Sequence, residues 1–305
     1  MSAPIEVPAG LAASYAAYHG ARGATWIAGL PRLAATLLER WDLRPDGPAA
    51  HGVCALVLPV VRTTDGTPAA LKLQMVDEET AGEPRALAAW DGDGAVRLLA
   101  HDAASGAMLL ERLAPRSLED VPDDLAALEV LSGLLARLAT VPAPPGLRTL
   151  AGIGARMLER VPAALAAYHD PADRALYADC AAALREVLPE PGGALLHWDL
   201  HYANVLAGER EPWLAIDPKP LAGDPCFDLL PALHNRFAEI TGAPDPLRAL
   251  RRRFDLMTAT AALDRDRAVA WTLARILQNA LWAAESGTTA APPTHTLIHA
   301  ALRTP

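Results

Sequence analysis

The spacing of apolar positions along this chain changes period near residue 110. Before that point the apolar residues fall in short runs with turn residues between them. Residues 53–61 and 69–76 are two such runs, separated by Thr63-Thr64-Asp65-Gly66, and the Asp-Gly pair predicts a β-hairpin. Ala, Leu and Glu then crowd residues 78–90, which predicts a helix carrying Glu83. Runs at 95–100 and 107–110 predict two more strands, and pairing with an N-terminal run would complete a five-stranded sheet. Beyond Leu110, Leu and Ala recur at helical spacing over 123–140, 152–167, 173–188, 227–240, 246–262, 266–284 and 294–303. One stretch breaks that pattern. Residues 194–196 read as a strand, and 205–207 and 213–216 read as a second hairpin joined by Gly208-Glu209-Arg210-Glu211. The expected fold is α+β in two parts. Residues 1–112 hold leading helices, an antiparallel sheet and one helix, and residues 113–305 form a larger, mainly helical part.

Composition narrows the classes. At 305 residues and 51% hydrophobic content, the chain can bury the core of two lobes. A net charge of −9 argues against a nucleic-acid or anionic-membrane surface. Residues 1–10 contain Glu6 and no basic residue ahead of an apolar run, unlike a signal peptide, and the apolar stretch 268–284 carries Arg275, Gln278 and Asn279, unlike a membrane span. A cytoplasmic protein is expected. Cys54, Cys180 and Cys226 are distant from one another and set among apolar residues, as reduced core thiols are. Only two of the 27 basic residues are lysines, Lys72 and Lys219. An ammonium is a compact point charge that reaches between phosphate oxygens, so both positions become candidates.

The candidate chemistry lies in His197-Trp198-Asp199-Leu200-His201-Tyr202-Ala203-Asn204 and in Ile216-Asp217-Pro218. An Asp beside a reacting hydroxyl, an Asn five positions on and a second Asp on a following strand supply the base and the magnesium ligands of phosphoryl transfer. Mg²⁺ takes one or two protein oxygen ligands and keeps waters and phosphate oxygens for the rest, which Asn204 and Asp217 satisfy. Lys72 on a predicted strand and Glu83 on the next helix can form the ion pair that holds such a Lys against phosphates. No GxxxxGK sequence is present, which argues against a Walker-type ATPase; His51-Gly52 is the sole candidate for a phosphate-covering turn. Two other readings stay open on residues alone. His197 and Asp199 could be a hydrogen-bonded pair holding a turn, and His197, Asp199 and His201 could form a zinc triad.

With these residues in view, the chain resembles the aminoglycoside phosphotransferase family, of protein-kinase-like fold, and within it the branch of streptomycin 6-kinases and hydroxyurea phosphotransferases. The resemblance spans residues 51–286. It is carried by Leu195-Leu196-His197-Trp198-Asp199-Leu200-His201, by Pro212 to Pro220 with Gly223-Asp224-Pro225, and less specifically by Leu71-Lys72, Glu83 and Leu109-Leu110-Glu111-Arg112-Leu113. It implies Asp199 as catalytic base, Asn204 and Asp217 as Mg²⁺ ligands, Lys72 as phosphate ligand with Glu83 as its partner, and a hinge at Glu111 and Leu113 whose backbone holds adenine. It implies that Asp228 braces the catalytic loop, and that Lys219 steadies phosphate charge or pairs with Asp224. The phosphoryl donor would be ATP, with GTP as the alternative.

Two departures bear on the acceptor. Trp198 stands where the family usually has Gly, and its large ring must fill core or stack on substrate. Residues 226–305 hold nine Arg against seven Asp and Glu, so a polycationic acceptor finds no acidic clamp there. The cluster Glu119, Asp120, Asp123 and Asp124 reads as helix caps before it reads as a substrate site. The expected function is phosphorylation of a small hydroxylated molecule, an aminoglycoside of streptomycin type. Hydroxyurea or another less cationic metabolite as acceptor, and a non-catalytic nucleotide-binding module, are the alternatives.

Overall fold

The computed structural model describes residues 5–303. The chain divides into two compact units. One consists of the described residues up to Gly92 together with Val96–Ala114, the other of Asp93–Ala95 and the described residues from Pro115 onward.

The first unit opens with α1 (Ala9–Arg40), two helical stretches joined at Gly20, whose φ of 53° and ψ of −134° only glycine adopts readily. The sheet behind it contains β1 (Leu43–Pro45), β2 (Ala50–His51), β3 (Ala55–Arg62) and β4 (Pro68–Gln74), followed by α2 (Glu83–Trp90), β5 (Leu98–Asp102) and β6 (Ala107–Glu111). Its order is β1-β3-β4-β6-β5, with β2 added to β3, and every pair is antiparallel. Strand alternation explains its two faces. Leu56, Leu58, Val60, Leu71 and Leu73 pack with Leu11, Leu30, Ala34 and Leu37 of α1. Lys72, between Leu71 and Leu73, therefore turns to the opposite face. Tyr15 ties helix to sheet, its hydroxyl donating to Cys54 O (2.6 Å) and accepting from Met75 N (3.1 Å).

The sheet has six strands rather than five, because β1 and β2 are two or three residues long and carry no alternating pattern that a sequence could show. The helix expected over 78–90 begins only at Glu83. Asp77 Oδ1 accepts from Glu79 N and Thr80 N, and this side-chain turn competes with helix until Pro84 sets the first helical turn. The strand expected over 95–100 is displaced as well. Ala95 pairs instead in parallel with Ala215, so β5 starts at Leu98.

The second unit is helical around a small stitched core. Its elements are α3 (Asp124–Leu138), β7 (Arg148–Thr149), α4 (Leu150–Ala167), α5 (Pro171–Val187), β8 (Ala194–Leu196), β9 (Val205–Leu206), β10 (Leu214–Ala215), β11 (Leu221–Gly223), α6 (Leu229–Leu233), α7 (Phe237–Thr241), α8 (Pro246–Thr260), α9 (Arg265–Glu285) and α10 (Pro293–Arg303). Asp123, Asp170, Asp245 and Asp264 cap α3, α5, α8 and α9 through their carboxylates. β7, β11 and β8 form a three-stranded sheet, and β9 with β10 forms the expected antiparallel hairpin. The single helix expected over 227–240 is instead a short turn, α6 and α7, broken at Arg236 in the left-handed region (φ 48°).

Candidate active site

In the second unit the loop after β8 carries the Asp199 motif, and Asp228 grips it from beneath. Oδ2 of Asp228 accepts from His197 N at 2.9 Å and Oδ1 from Trp198 N at 3.0 Å. Asp228 is buried. Burial pushes its carboxyl up to about 6, while the two backbone N–H donors pull the other way. The ring of His197 is fully enclosed, and burial pushes it down to about 4, so it is neutral near pH 7. Its Nε2 lies 3.0 Å from Ile216 O, which can only accept, so Nε2 carries the proton. Nδ1 is then an acceptor facing Asp199 N at 3.4 Å. Both ring nitrogens serve the loop backbone, which favours the turn-holding reading of His197 over the zinc triad.

The β9–β10 hairpin brings the other two motif residues to this loop. Ile216 N donates to Asn204 O (2.9 Å), closing the hairpin, and Lys219 N donates to His197 O (3.0 Å), stitching the Asp217 turn to the loop that carries Asp199. Asn204 Nδ2 donates to Asp199 O at 2.9 Å, which fixes the amide so that Oδ1 is the end left for a cation. Asp217 adopts φ 57° and keeps a carboxylate with 36% side-chain exposure. Lys219 Nζ lies 3.1 Å from Asp199 Oδ2 and 3.5 Å from Asp217 Oδ2. Asp224, the alternative partner of Lys219, caps the following turn and pairs with Arg267. A carboxamide oxygen and a carboxylate on neighbouring backbone are the hard oxygen donors that Mg²⁺ takes, and they fit the ion.

Asp199 opens onto a cavity of about 340 Å³ whose other walls are His201, Leu230, Pro231, His234, Asn235, Arg275 and Asn279. His234 and Asn235 on its wall directly precede the helix break at Arg236. The Arg236 guanidinium donates to the carbonyls of Leu118, Glu119 and Val121, and Asn235 Oδ1 accepts from Tyr202 N at 3.2 Å. Trp198 is core, 2% exposed. Of the acidic cluster, Asp120 closes a capping box with Ser117, Asp123 caps α3, and Asp124 accepts from Tyr202 OH and pairs with Arg253.

In the first unit Lys72 Nζ lies 2.6 Å from Glu83 Oε1, with both side chains buried. Gln74, two residues along β4 and therefore on the same face, donates from Nε2 to Glu83 Oε2 at 2.5 Å. No sequence motif marked Gln74; the period-two spacing from Lys72 was the available signal. Glu111 ends β6, with Oε1 accepting from Arg97 N at 2.9 Å, and Leu113 follows half-buried. Arg112 anchors the segment between them through Ala69 O and Val60 O.

Residues 40–287 match the family described as aminoglycoside/hydroxyurea antibiotic resistance kinase. The chain belongs to this family. A streptomycin 6-kinase of Streptomyces glaucescens is 57% identical over 98% of this chain and 97% of its own length. A hydroxyurea phosphotransferase of Kitasatospora aureofaciens is 56% identical over 96% of this chain and 84% of its own. Among solved structures, a thermostable mutant of aminoglycoside phosphotransferase APH(4)-Ia, in ternary complex with AMP-PNP and hygromycin B, shares the fold. It matches with a TM-score of 0.58 and 15% identity, covering 89% of this chain and 98% of the other. The sheet-bearing first unit and helical second unit of this antibiotic resistance kinase thus belong to the protein-kinase-like fold, and its activity is that of a small-molecule phosphotransferase acting on hydroxyl groups. Among the described residues, no helix is long and apolar enough to cross a membrane.

Proposed function

We propose that this kinase transfers the γ-phosphoryl group of ATP to a hydroxyl of a streptomycin-type aminocyclitol, with Mg²⁺, in the cytoplasm where ATP is supplied. The observation that carries the reading is Asp199: its carboxylate borders the 340 Å³ cavity and is oriented by Lys219, in a chain 57% identical to a streptomycin 6-kinase along nearly its whole length. Asp199 accepts the acceptor's hydroxyl proton through the oxygen that Lys219 leaves free. Asn204 Oδ1 and the Asp217 carboxylate hold the metal, which when bound neutralises charge on the transferring phosphate. Lys219 keeps two carboxylates and the developing phosphate charge in one electrostatic balance. Lys72, fixed by Glu83 and Gln74, binds nucleotide phosphates, and the backbone at Glu111 and Leu113 holds the base. Residues 1–112 then serve the nucleotide and residues 113–305 the catalytic loop and acceptor. Positioning and charge, rather than covalent chemistry, supply the rate.

A second acceptor is supported by a specific feature. Apart from Asp199 the cavity wall contains no carboxylate, and it includes Arg275, which suits a neutral acceptor such as hydroxyurea, the substrate named for the Kitasatospora relative. Mass spectrometry of mixtures containing ATP or GTP, Mg²⁺ and either streptomycin, other aminoglycosides or hydroxyurea separates the two. Phosphorylated streptomycin is the expected product; phosphate on hydroxyurea alone would transfer the assignment to the second acceptor, and no product on any of them would sink both.

A further inference from the structure

Arg275 is a charge in the middle of a buried helix. Nearly all of α9 between residues 268 and 281 is inaccessible, and Arg275 is 8% exposed. Its guanidinium carbon lies 4.6 Å from the centroid of the Trp198 ring, 5.4 Å from that of Phe227 and 5.6 Å from that of Trp282. Its Nη2 donates to Trp198 O at 3.4 Å and its Nη1 to Gln278 Oε1. Arg148, from β7, also covers Trp198, at 4.4 Å. A desolvated guanidinium is attracted to the face of an aromatic ring, and a planar, weakly hydrated guanidinium suits that place far better than an ammonium.

Trp198 needs such a hold. Its φ of 66° lies in the left-handed region, where a Cβ crowds the following carbonyl. Asp228 grips its N–H, Arg275 its carbonyl, and two guanidinium groups its ring. The next residue is Asp199. Arg275 also lines the cavity onto which Asp199 opens, so one side chain touches both the acceptor space and the peptide that carries the base.

We propose that Arg275 is a positioning residue for phosphoryl transfer: stacked on Trp198 and bonded to its carbonyl, it sets the peptide from which Asp199 projects toward the acceptor. The proposal rests on Asp199 being the base. Arg275→Lys separates it from a bland role, because a lysine keeps the charge near Asp228 and fills the helix face but has no planar surface to lay on the indole.

The test compares wild type, Arg275→Lys and Trp198→Phe as full-length chains. In Arg275→Lys, kcat measured well below the melting point should fall about tenfold or more, with the KM values for ATP and acceptor within about twofold, while the melting point itself falls by a few degrees. Trp198→Phe, which keeps a smaller ring, should show the same loss of kcat to a lesser extent. Full kcat in Arg275→Lys overturns the proposal in favour of a charge requirement alone; a raised acceptor KM at unchanged kcat overturns it in favour of a pocket-wall contact. Hydrogen exchange gives an arm that needs no acceptor. Amides of residues 197–200 should exchange about tenfold faster in Arg275→Lys while those of β8 do not change, and identical exchange in the two proteins overturns the clamp. A wild type that phosphorylates nothing in the acceptor panel refutes the proposed function and leaves the exchange result to decide this one.

Discussion

At the scale of single residues, the site contrasts a carboxylate proposed to react, Asp199, with one that holds backbone, Asp228. Asp199 is partly open, beside Lys219 and the cavity proposed for the acceptor, and Asp199→Asn should lower kcat by about a hundredfold or more with little change in nucleotide affinity. Near-normal turnover in that variant would remove Asp199 from the mechanism. Asp228 is enclosed, and its carboxyl, pushed up to about 6, accepts two N–H groups only while ionised. As pH falls through about 6 it takes a proton, and one of those donors loses its acceptor. The profile of kcat against pH should therefore fall on the acid side near 6, and Asp228→Asn should lower kcat throughout and remove that limb. A limb that stays in place in the variant would assign it to another group. Glu83→Gln removes the carboxylate charge that faces the buried Lys72 ammonium, for which a cost of up to about 3–5 kcal/mol is usual, and denaturant unfolding should register it.

At the scale of elements, tertiary contacts decide where helices stop. The apolar spacing across residues 227–240 fits one helix, yet the chain turns left-handed at Arg236 because its guanidinium reaches three backbone carbonyls between Leu118 and Val121. Those carbonyls lie more than a hundred residues away, so no local pattern shows them. Arg236→Ala should cost roughly 1–3 kcal/mol by removing its hydrogen bonds to these carbonyls, and because Asn235 borders the cavity proposed for the acceptor, it should raise the acceptor KM as well. At the mouth of β8, Gly192 has φ 74° and a Cβ there would stand 2.7 Å from Gly223 O and 2.8 Å from Asp224 N. Backbone cannot yield as a side-chain tip can. Gly192→Ala should thus lower the melting point more than an alanine at open, ordinary backbone such as Gly193, a difference that thermal unfolding of the pair measures directly.

At the scale of the whole molecule, buried imidazoles set the acid limit. His197, His234 and His295 are each pushed down to about 4, burial being the largest cause in all three. Unfolded, they take up protons near 6.5, so stability is full above that value and is lost as pH falls toward 4. Asp228 acts in the opposite sense, binding its proton more tightly when folded and adding stability as pH drops from about 6 to 3.8. Three groups against one leave a net loss on the order of 4 kcal/mol between pH 7 and pH 5. Urea unfolding at the two pH values should show a lower midpoint at pH 5, and equal midpoints would mean that the imidazoles titrate normally in the folded chain.

What the sequence determined by itself is what local chemistry and periodicity encode. The strand alternation that puts Lys72 opposite Leu71 and Leu73, the long helices α3, α8 and α9, the β9–β10 hairpin and the spacing of Asp199, Asn204 and Asp217 all depend on neighbours a few residues apart. The family resemblance pointed to Asp228 as a brace of the loop, whereas Gln74 at the Lys72–Glu83 pair, the break at Arg236 and the guanidinium stack on Trp198 came only with the tertiary structure. Each joins groups whose attraction acts across space between segments far apart in the chain, and a one-dimensional pattern holds no record of which distant donor meets which acceptor.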